Sequence, residues 1–478
     1  MQPFVIKALL TFLTSAILAA ALAPAAAQSR PATLTPDEAV ALALENHPLL
    51  RAAGEDVAAA NADQRLAKSG YVPRLDLTED WVRSNNPVFV FASKLGQERF
   101  GMSDFALDAL NSPDPFTNAA TRVSLKQNIW DAGRTIKGME AAKRGVAASQ
   151  ESLQRTREAI AFGARRAFWD TVLADEFLKV TQAAEDAAKA NADLASNQVE
   201  AGLGVPSDRM SADVRLAEVR AMRIRAAQGA HVARAALRQA LGLSEDRVFT
   251  LDPPPPDPRA CASEGGGDPE AAPAGRDEDE TAAVHEALAA RADLKALDER
   301  IAQAGIGEKI ARSGYYPEIG LGAQYEWNGA SLFGSDGRNW TVGAAVRFSV
   351  FDGTETGARI ARAKADSGRL AAMREAMVEG IRLEVRAARA DRDAAEERFC
   401  VAVSALAQAD EALRIVRERY GEGMAVMVEL LGAEAARTQS QGARAAAARD
   451  LAVAQAALDL AVGRAAPPPA QTQQEASR

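Results

Sequence analysis

The chain has 478 residues, of which 47% are hydrophobic, 5% aromatic and 25% charged, and its formal net charge is −9. The acidic balance gives no basic footprint for nucleic acid, and two cysteines are too few for a disulfide framework or a cysteine-based zinc site. The length allows two or three ordinary domains.

The N-terminal residues predict an exported protein. Lys7 precedes an uncharged run at 8–23, and Ala25–Ala27 offers a cleavage site of small residues. This pattern is typical of a secretory signal peptide, assigned to 1–27. A retained membrane anchor is the alternative, but the apolar run is short for a membrane span.

A helix with a defined start opens the mature sequence. Thr35 is a suitable N-cap, Pro36 suits the first helical position, and acidic residues follow in the first turn. The helix is predicted to continue to about Gly70. Proline removes a helical hydrogen bond, so the pair His47-Pro48 is expected to break or kink it.

Two segments at about 71–82 and 120–130 alternate apolar and polar residues and predict strands, each with one apolar and one polar face. The stretch between them, 85–118, is rich in Asn, Asp, Pro and Gly and predicts a long loop. Its apolar patch, Val88–Phe91, could form a small extra hairpin.

Two stretches of equal length predict very long helices. The first runs from Asp131 to Gly202 and the second from Asp352 to Gly423, and neither contains a proline. Each would be roughly 108 Å long at about 1.5 Å per residue. Charges throughout exclude a membrane span, and apolar residues spaced by sevens predict coiled-coil packing.

The second half repeats the first, because the sequence Lys68–Pro73 returns as Arg312–Pro317 before another pair of alternating segments at about 316–328 and 339–351. The predicted organisation is a signal peptide at 1–27, a first repeat at 28–245 with helices 131–202 and 206–242, a linker at 246–281, a second repeat at 282–464 with helices 282–314, 352–423 and 424–463, and a disordered tail at 465–478.

The sequence contains no nucleophile elbow, phosphate loop or metal-ligand spacing. Its histidines, His47, His231 and His285, are scattered and suit surface or packing positions. Met424 and Met427 could be imagined as ligands of a soft metal, but gap-filling contacts fit methionine better. The sequence therefore predicts neither an enzyme nor a cofactor.

The alternating segments carry a stronger functional signal. Each has about the length of a tilted transmembrane strand, and Trp81, Trp327 and Trp340 lie near segment ends, as in an interfacial girdle. A half-buried soluble sheet would show the same alternation. The predicted export of the chain, and the lack of a segment that could cover the apolar face, favour transmembrane strands over a soluble sheet. Four strands cannot close a barrel, so several chains must contribute strands.

The duplicated strand–strand–helix plan, the Tyr-x-Pro before a strand, the Asp-Gly joint and the paired glycine turns resemble the TolC-like outer-membrane factors over nearly the whole mature chain. The resemblance implies a mainly α fold with β strands. In it, long antiparallel coiled-coil helices form a trimeric α-barrel, continued by a 12-stranded transmembrane β-barrel with four strands per chain. It also implies an outer-membrane location in a Gram-negative bacterium, in contact with lipid and with a long periplasmic part.

The resemblance further implies a passive export duct, opened at its periplasmic tip, in a tripartite efflux or type I secretion system. Its partners would be two further copies of the chain, a periplasmic adaptor protein and an inner-membrane pump. A soluble periplasmic coiled-coil scaffold is the alternative from another class of protein.

Site residues are implied at the two helix turns. Asp208 and Tyr420 match a gate latch whose usual arginine is replaced by Ala425. Glu429 matches one of two acidic positions at the pore constriction, and the second falls on Gly432. The tip that contacts the adaptor matches Ala201, Gly202, Leu203, Gly204, Pro206, Ser207, Gly421 and Gly423. Alternatively, both acids favour a helix start electrostatically, although Glu429 is expected deeper in its helix.

The only cysteines, Cys261 and Cys400, are predicted to lie in an oxidising compartment. Helical rise and the reach of an extended linker make a disulfide between them geometrically possible. The alternative is two unpaired thiols, with Cys400 buried in the helix seam and Cys261 in a mobile loop.

Overall fold

The structure, a computed structural model, describes residues 32–202, 204–243, 249–254, 261 and 276–466. The predicted signal peptide, most of the linker and nearly all of the predicted tail lie outside these residues. The fold is 73% helical with a few strands. Among the described residues, no helix combines the length and apolar character needed to cross a membrane.

The helices and strands alternate in two similar series. The first series is β1 (Ala32–Leu34), α1 (Pro36–Asn46), α2 (Pro48–Ser69), β2 (Arg74–Ser84), α3 (Pro87–Gly96), α4 (Leu107–Asn111), β3 (Phe116–Trp130), α5 (Arg134–Glu200) and α6 (Pro206–Ala240). The second is β4 (Phe249–Leu251), α7 (Arg276–Ala290), α8 (Ala292–Arg312), β5 (Glu318–Gly329), β6 (Gly337–Arg347), α9 (Glu355–Gly421) and α10 (Met427–Val462).

The chain divides into two compact units. One comprises Met1–His47, Ala161–Gly266 and Ala394–Val453, and the other Pro48–Ile160, Gly267–Asp393 and Ala454–Arg478. The first unit contains the parallel pair β1–β4, which the sequence analysis did not predict because three-residue strands show no periodicity. The second unit contains the four-stranded sheet.

The first helix begins as predicted and is broken as predicted. The Thr35 hydroxyl accepts a hydrogen bond from the Glu38 backbone N–H (3.3 Å), and the Glu38 carboxylate accepts one from the Thr35 N–H (2.8 Å). These two bonds form a capping box. Helix α1 ends at Asn46 and α2 begins at Pro48, so the break at His47-Pro48 is confirmed.

The single helix expected at 282–314 is wrong, because the chain forms α7 and α8 with a break at Arg291. The Arg291 side chain is 4% exposed and reaches the carboxylates of Glu384 (2.6 Å) and Asp293 (2.7 Å). It also donates to the Ala461 carbonyl (3.3 Å). No proline marks this break, since a tertiary ionic cluster makes it.

Both long helices have 67 residues, and each begins after a capping aspartate. The Asp131 carboxylate accepts from the Thr135 N–H (2.9 Å), and the Asp352 carboxylate accepts from the Thr356 N–H (2.9 Å). Burial opposes ionisation of Asp131, but the bonds from Thr135 outweigh it and lower the pKa. The helices therefore start three residues later than predicted, because the aspartates lie outside them.

The sheet has the strand order β2-β3-β5-β6, with every neighbouring pair antiparallel. Residues opposite one another share a face, and the register defines rows across all four strands. One row is Leu75, Leu125, Ala323 and Val342, and the next on the same face is Leu77, Val123, Tyr325 and Trp340. The opposite face carries the row Asp76, Ser124, Gln324 and Thr341.

The apolar face of the sheet is bare in the part of the chain that the structure describes. Large apolar side chains on it are exposed, and Trp340 retains 74% of its surface. The polar face is tied together across strands by Arg122, which pairs with Glu326 (2.8 Å) and Asp80 (3.1 Å). Strands β2 and β6 are the outer strands of the sheet.

The small hairpin expected at Val88–Phe91 is wrong, because these residues lie in helix α3. The Asn86 side chain accepts a hydrogen bond from the Phe89 N–H (3.1 Å), and Pro87 occupies the first helical position. An asparagine cap followed by proline is a helix-start signal. The predicted loop 85–118 also contains α4, and β3 begins within it at Phe116.

Candidate functional site

The two turns that join each long helix to the next helix share a left-handed glycine at the matching position. Gly202 and Gly423 both adopt φ +72°, a conformation that glycine accepts without a side-chain clash. After α9, the Gly423 N–H donates to the Tyr420 carbonyl (3.1 Å) and the Met424 N–H to the Arg419 carbonyl (2.8 Å). This is a Schellman motif, which ends the helix and satisfies its last carbonyls.

Among the residues expected at the tip, Ala201, Gly202, Pro206, Ser207, Gly421 and Gly423 are exposed, and Leu203 lies outside the described residues. Gly204 is half-buried, and its N–H donates to the Gln198 carbonyl (2.9 Å). A Cβ on Gly204 would lie 3.0 Å from the Gln198 Cβ, a tight contact that favours glycine at this position. The first turn is therefore fixed by close backbone approach.

Both turns expose apolar side chains. Met424, which was expected to fill a gap, is among them, so that expectation is wrong for Met424 and holds only for the buried Met427. Val205 in the first turn, and Met424, Val426 and Val428 in and after the second, are all more than half exposed. An exposed apolar group at the end of a helical hairpin is typical of a contact surface for another protein. The adjacent glycines keep the backbone of this surface accessible.

The second turn rests on a buried apolar cluster. Met427, the first residue of α10, is fully buried, and Tyr420 packs beside it. The remaining buried members come from α5, α6, α9 and α10 and are Ala192, Ala195, Ala212, Leu413, Leu430 and Leu431. The small alanines allow close approach of the helices, so the turns are held from beneath by packing.

The proposed latch pair does not form a direct hydrogen bond. The Tyr420 hydroxyl donates to the Gln198 side-chain oxygen at 3.2 Å. Burial raises the pKa of Tyr420, and the negative charge of Asp208 raises it further. Asp208 therefore lies close enough to influence Tyr420 electrostatically, while Gln198 takes the hydrogen bond.

Asp208 and Glu429 occupy equivalent positions in the two repeats. Each is the third residue of its helix, α6 or α10. The expectation that Glu429 lies deeper in its helix is wrong, because α10 begins at Met427 and not at Met424. Asp208 is half-buried and Glu429 is exposed. Both acids thus favour a helix start, and Glu429 is the more exposed of the two.

Glu434 is a site residue that the sequence analysis missed. Its carboxylate accepts from the Asn191 side-chain amide (2.7 Å) on α5 and pairs with Arg417 (3.3 Å) on α9. Glu434 therefore links three helices close to the second turn. Helical spacing from Met427 and Leu430 would have placed it on the buried face, where an acid needs partners.

The structure pairs Cys261 with Cys400, with their Cα atoms 5.3 Å apart. This separation lies within the usual range for disulfides. Cys400 belongs to a buried cluster with Phe399 and Ala447, and the partly buried Cys261 packs against this cluster, so the bond ties the linker to α9 in an apolar setting. Among the described residues, no three His, Cys, Asp or Glu side chains come together as a metal-binding group.

The chain is similar to known proteins in sequence pattern and in fold. The family model described as outer membrane efflux protein matches residues 39–243 and 283–464. No curated protein matches the sequence.

Solved structures with a similar fold come from several bacteria. A membrane protein from Pseudomonas aeruginosa aligns with a TM-score of 0.72 and 20% identity, over 90% of this chain and 92% of that chain. The Campylobacter jejuni CmeC outer membrane channel aligns with a TM-score of 0.72 and 16% identity, over 93% of this chain and 91% of that chain. The outer membrane protein VceC from Vibrio cholerae aligns with a TM-score of 0.70 and 19% identity, over 90% of this chain and 96% of that chain.

Proposed function

The chain belongs to the outer membrane efflux protein family, and from this premise we propose that three copies form a continuous export duct through the outer membrane and periplasm. Members of this family are channels of tripartite systems and not enzymes. In the proposed trimer, each chain contributes its four strands to a 12-stranded barrel. The long helices of the three chains form the periplasmic α-barrel.

The observation that carries this proposal is the four-stranded sheet with a bare apolar face. Both outer strands, β2 and β6, have an edge without a neighbouring strand among the described residues. Open strand edges are not tolerated in lipid, because their backbone groups would lack hydrogen-bond partners. Copies joined edge to edge would satisfy these groups, direct the apolar rows to lipid and enclose the polar face around water.

The two turns supply the proposed periplasmic tip. Their exposed apolar residues would contact a periplasmic adaptor, which couples the duct to an inner-membrane pump. Tyr420, Gln198 and the nearby Asp208 would hold the tip closed, and three copies of Glu429 would form one acidic ring at the constriction. Conduction would be passive, and the tip would open by separation of its helices.

A matched pair of substitutions on β6 tests the membrane assignment. Val342 lies on the apolar face and its neighbour Thr341 on the polar face, and both are exposed. Val342→Arg places a charge in lipid at a cost of about 2–4 kcal/mol near the bilayer midplane, whereas Thr341→Arg faces water. We expect Val342→Arg to reduce the heat-resistant trimer recovered from outer membranes, and Thr341→Arg to leave its amount nearly unchanged.

A soluble periplasmic scaffold would respond differently. Neither arginine would then meet lipid, so the two variants would accumulate equally and the wild-type protein would be released without detergent. Equal recovery of both variants, or a monodisperse monomer in detergent, would contradict the proposed duct.

A further inference from the structure

The connection between β2 and β3 is an ordered part of the structure that the proposed function does not use. We define residues 85–115 as the distal segment and the sheet end at Ser84 and Gly329 as the distal end. The segment contains α3, a 3-10 turn at Met102–Phe105 and α4. Its position on the sheet determines what it can do.

The distal segment lies on the polar face of the sheet. A Cβ on Gly96 would be 3.5 Å from the Asn328 side chain, and a Cβ on Gly337 would be 2.1 Å from the Gly96 carbonyl. Asn328 and Gly337 are opposite one another in the register, and alternation puts both on the face that carries Gln324. The C-terminal end of α3 therefore covers the polar face.

Gln97 anchors the segment to two strands, β3 and β5. Its side chain is 1% exposed, and its amide nitrogen donates to the Thr117 carbonyl (2.9 Å), the Asn118 side chain (2.8 Å) and the Gly329 carbonyl (2.9 Å). A buried amide with several partners holds its surroundings in one arrangement. The segment is thus fixed in place over the polar face.

Contacts within the segment brace it further. Lys94 on α3 pairs with Asp104 in the 3-10 turn at 2.6 Å. The rings of Phe91 and Phe100 meet edge to face with centroids 4.8 Å apart, and Phe100 meets Phe105 in the same way at 5.1 Å. Such pairs prefer this geometry. The segment has its own small core.

The braced segment nevertheless exposes apolar side chains. Val88 on α3 retains 77% of its surface, and Leu95, Met102, Phe105 and Leu107 are also exposed. The β5–β6 connection at the same end turns to the opposite face, because the Phe333 N–H donates to Glu79 (3.1 Å), which shares a face with Leu77. Of these two connections, the one between β2 and β3 covers the polar side.

We propose that three distal segments pack against one another through these apolar side chains and close the distal mouth of the channel to large solutes. The inference rests on the proposed function, because the polar face encloses the pore only in the trimer. Apolar groups of this extent would be unfavourable in a water-filled pore unless something covered them. Inside the pore at this level, the available partners are the same segments of the other two copies.

A thiol reporter below the segment tests this closure independently of the periplasmic tip. Gln324→Cys places a thiol on the polar face at the middle of β5. Intact cells would be treated from outside with a small maleimide and with a polyethylene-glycol maleimide. We expect the large reagent to react slowly in the native background and several-fold faster when Val88→Asp is added. The small reagent should react alike in both backgrounds.

Leu332→Asp is the matched control, since Leu332 is an exposed apolar residue of the β5–β6 connection. It should leave labelling by the large reagent unchanged. Val88→Cys provides a second measurement, because a short bismaleimide should cross-link it between copies in intact trimers. Leu332→Cys should not cross-link.

The inference is overturned if the large reagent labels Gln324→Cys rapidly in the native background, if Val88→Asp does not accelerate that labelling, or if Val88→Cys fails to cross-link within intact trimers. Each of these results leaves the trimer and its conduction in place. Failure to form a trimer at all would instead contradict the proposed function. The two failures are therefore distinguishable.

Discussion

The two repeats break the same helix in different ways. In the first repeat, α1 ends at Asn46 and Pro48 opens α2, so a local covalent restriction makes the break. In the second repeat, Arg291 lies between α7 and α8 as His47 lies between α1 and α2, and its side chain is held by Asp293 and Glu384. One geometry is therefore reached by the chain's own stereochemistry in one half and by buried charges in the other.

A glycine packs against the break in both repeats. Gly242, after α6, has φ +67°, and a Cβ there would be 2.8 Å from the Asn46 carbonyl carbon. Gly463, after α10, has φ +88°, and its Cβ would lie 3.3 Å from the Arg291 nitrogen. The residues that make the break thus differ between the repeats. In both repeats, however, the glycine that follows a helix packs closely against the break.

The largest effect is expected where the charges make the break. Arg291→Ala would remove the cation between Glu384 and the largely buried Asp293, leaving Asp293 with the longer contact to Arg155 (3.6 Å). We expect a loss of about 3 kcal/mol in the free energy of unfolding. Pro48→Ala changes mainly the entropy of the unfolded chain and should cost about 1 kcal/mol or less. Thermal loss of the helical circular-dichroism signal measures both.

Arg291→Lys serves as the control for charge. Lysine keeps the positive charge but lacks the planar guanidinium group that reaches both carboxylates. The thermal unfolding midpoint of Arg291→Lys should therefore lie between those of the wild type and Arg291→Ala. Equal, small shifts for Arg291→Ala and Pro48→Ala would show that the two breaks do not differ in the way described.

A smaller difference is expected between the two packing glycines. Gly242→Ala combines a left-handed backbone with a backbone clash and should cost about 2 kcal/mol, whereas Gly463→Ala should cost about 1 kcal/mol. Gly229→Ala, inside α6 with no atom within 4 Å of the new Cβ, should be neutral or slightly stabilising. The same thermal measurement applies, and a larger loss for Gly463→Ala would reverse the comparison.

The smallest change in stability is expected at the equivalent acids of the two turns, where function should separate them. Asp208→Ala and Glu429→Ala each remove a carboxylate from a helix start and should cost about 0.5 kcal/mol. In bilayer recordings, only Glu429→Ala should weaken cation preference and block by multivalent cations, because in the proposed trimer three exposed carboxylates at the constriction would attract cations. Unchanged ion selectivity in the Glu429→Ala variant would contradict the proposal that Glu429 lines the pore.

Local signals in the sequence predicted much of this fold, and tertiary signals were missed. The cap at Thr35, the break at His47-Pro48, and two long helices of equal length followed from side-chain stereochemistry and repeat spacing. Arg291 gave no such signal, because Glu384 and the Ala461 carbonyl meet it only after folding. Helix α3 was missed for another reason: its Asn86-Pro87 start signal was present, but the composition around it favoured a loop.

The same division holds for the candidate site. The glycine turns were predicted by position, and their left-handed conformations explain why glycine is there. The hydrogen bond from Tyr420 to Gln198 and the link made by Glu434 depend on how three helices pack, which spacing along one helix does not give. Glu429 shows that a small error in a predicted helix start also matters. The helix was predicted to begin three residues too early, and this error placed Glu429 deeper in the helix than it lies.

The pairing of β3 with β5 has a consequence for how the protein is made. Arg122 and Glu326, which meet across this pair, are separated by 204 positions in the chain, so the sheet cannot be completed until the second half has been exported. Contacts between such distant residues form slowly because a long loop must close first. Until then the β2–β3 hairpin presents an unpaired edge and an apolar face to the periplasm, which makes early exported chains prone to aggregation. We therefore expect correct biogenesis to require protection of this hairpin during translocation.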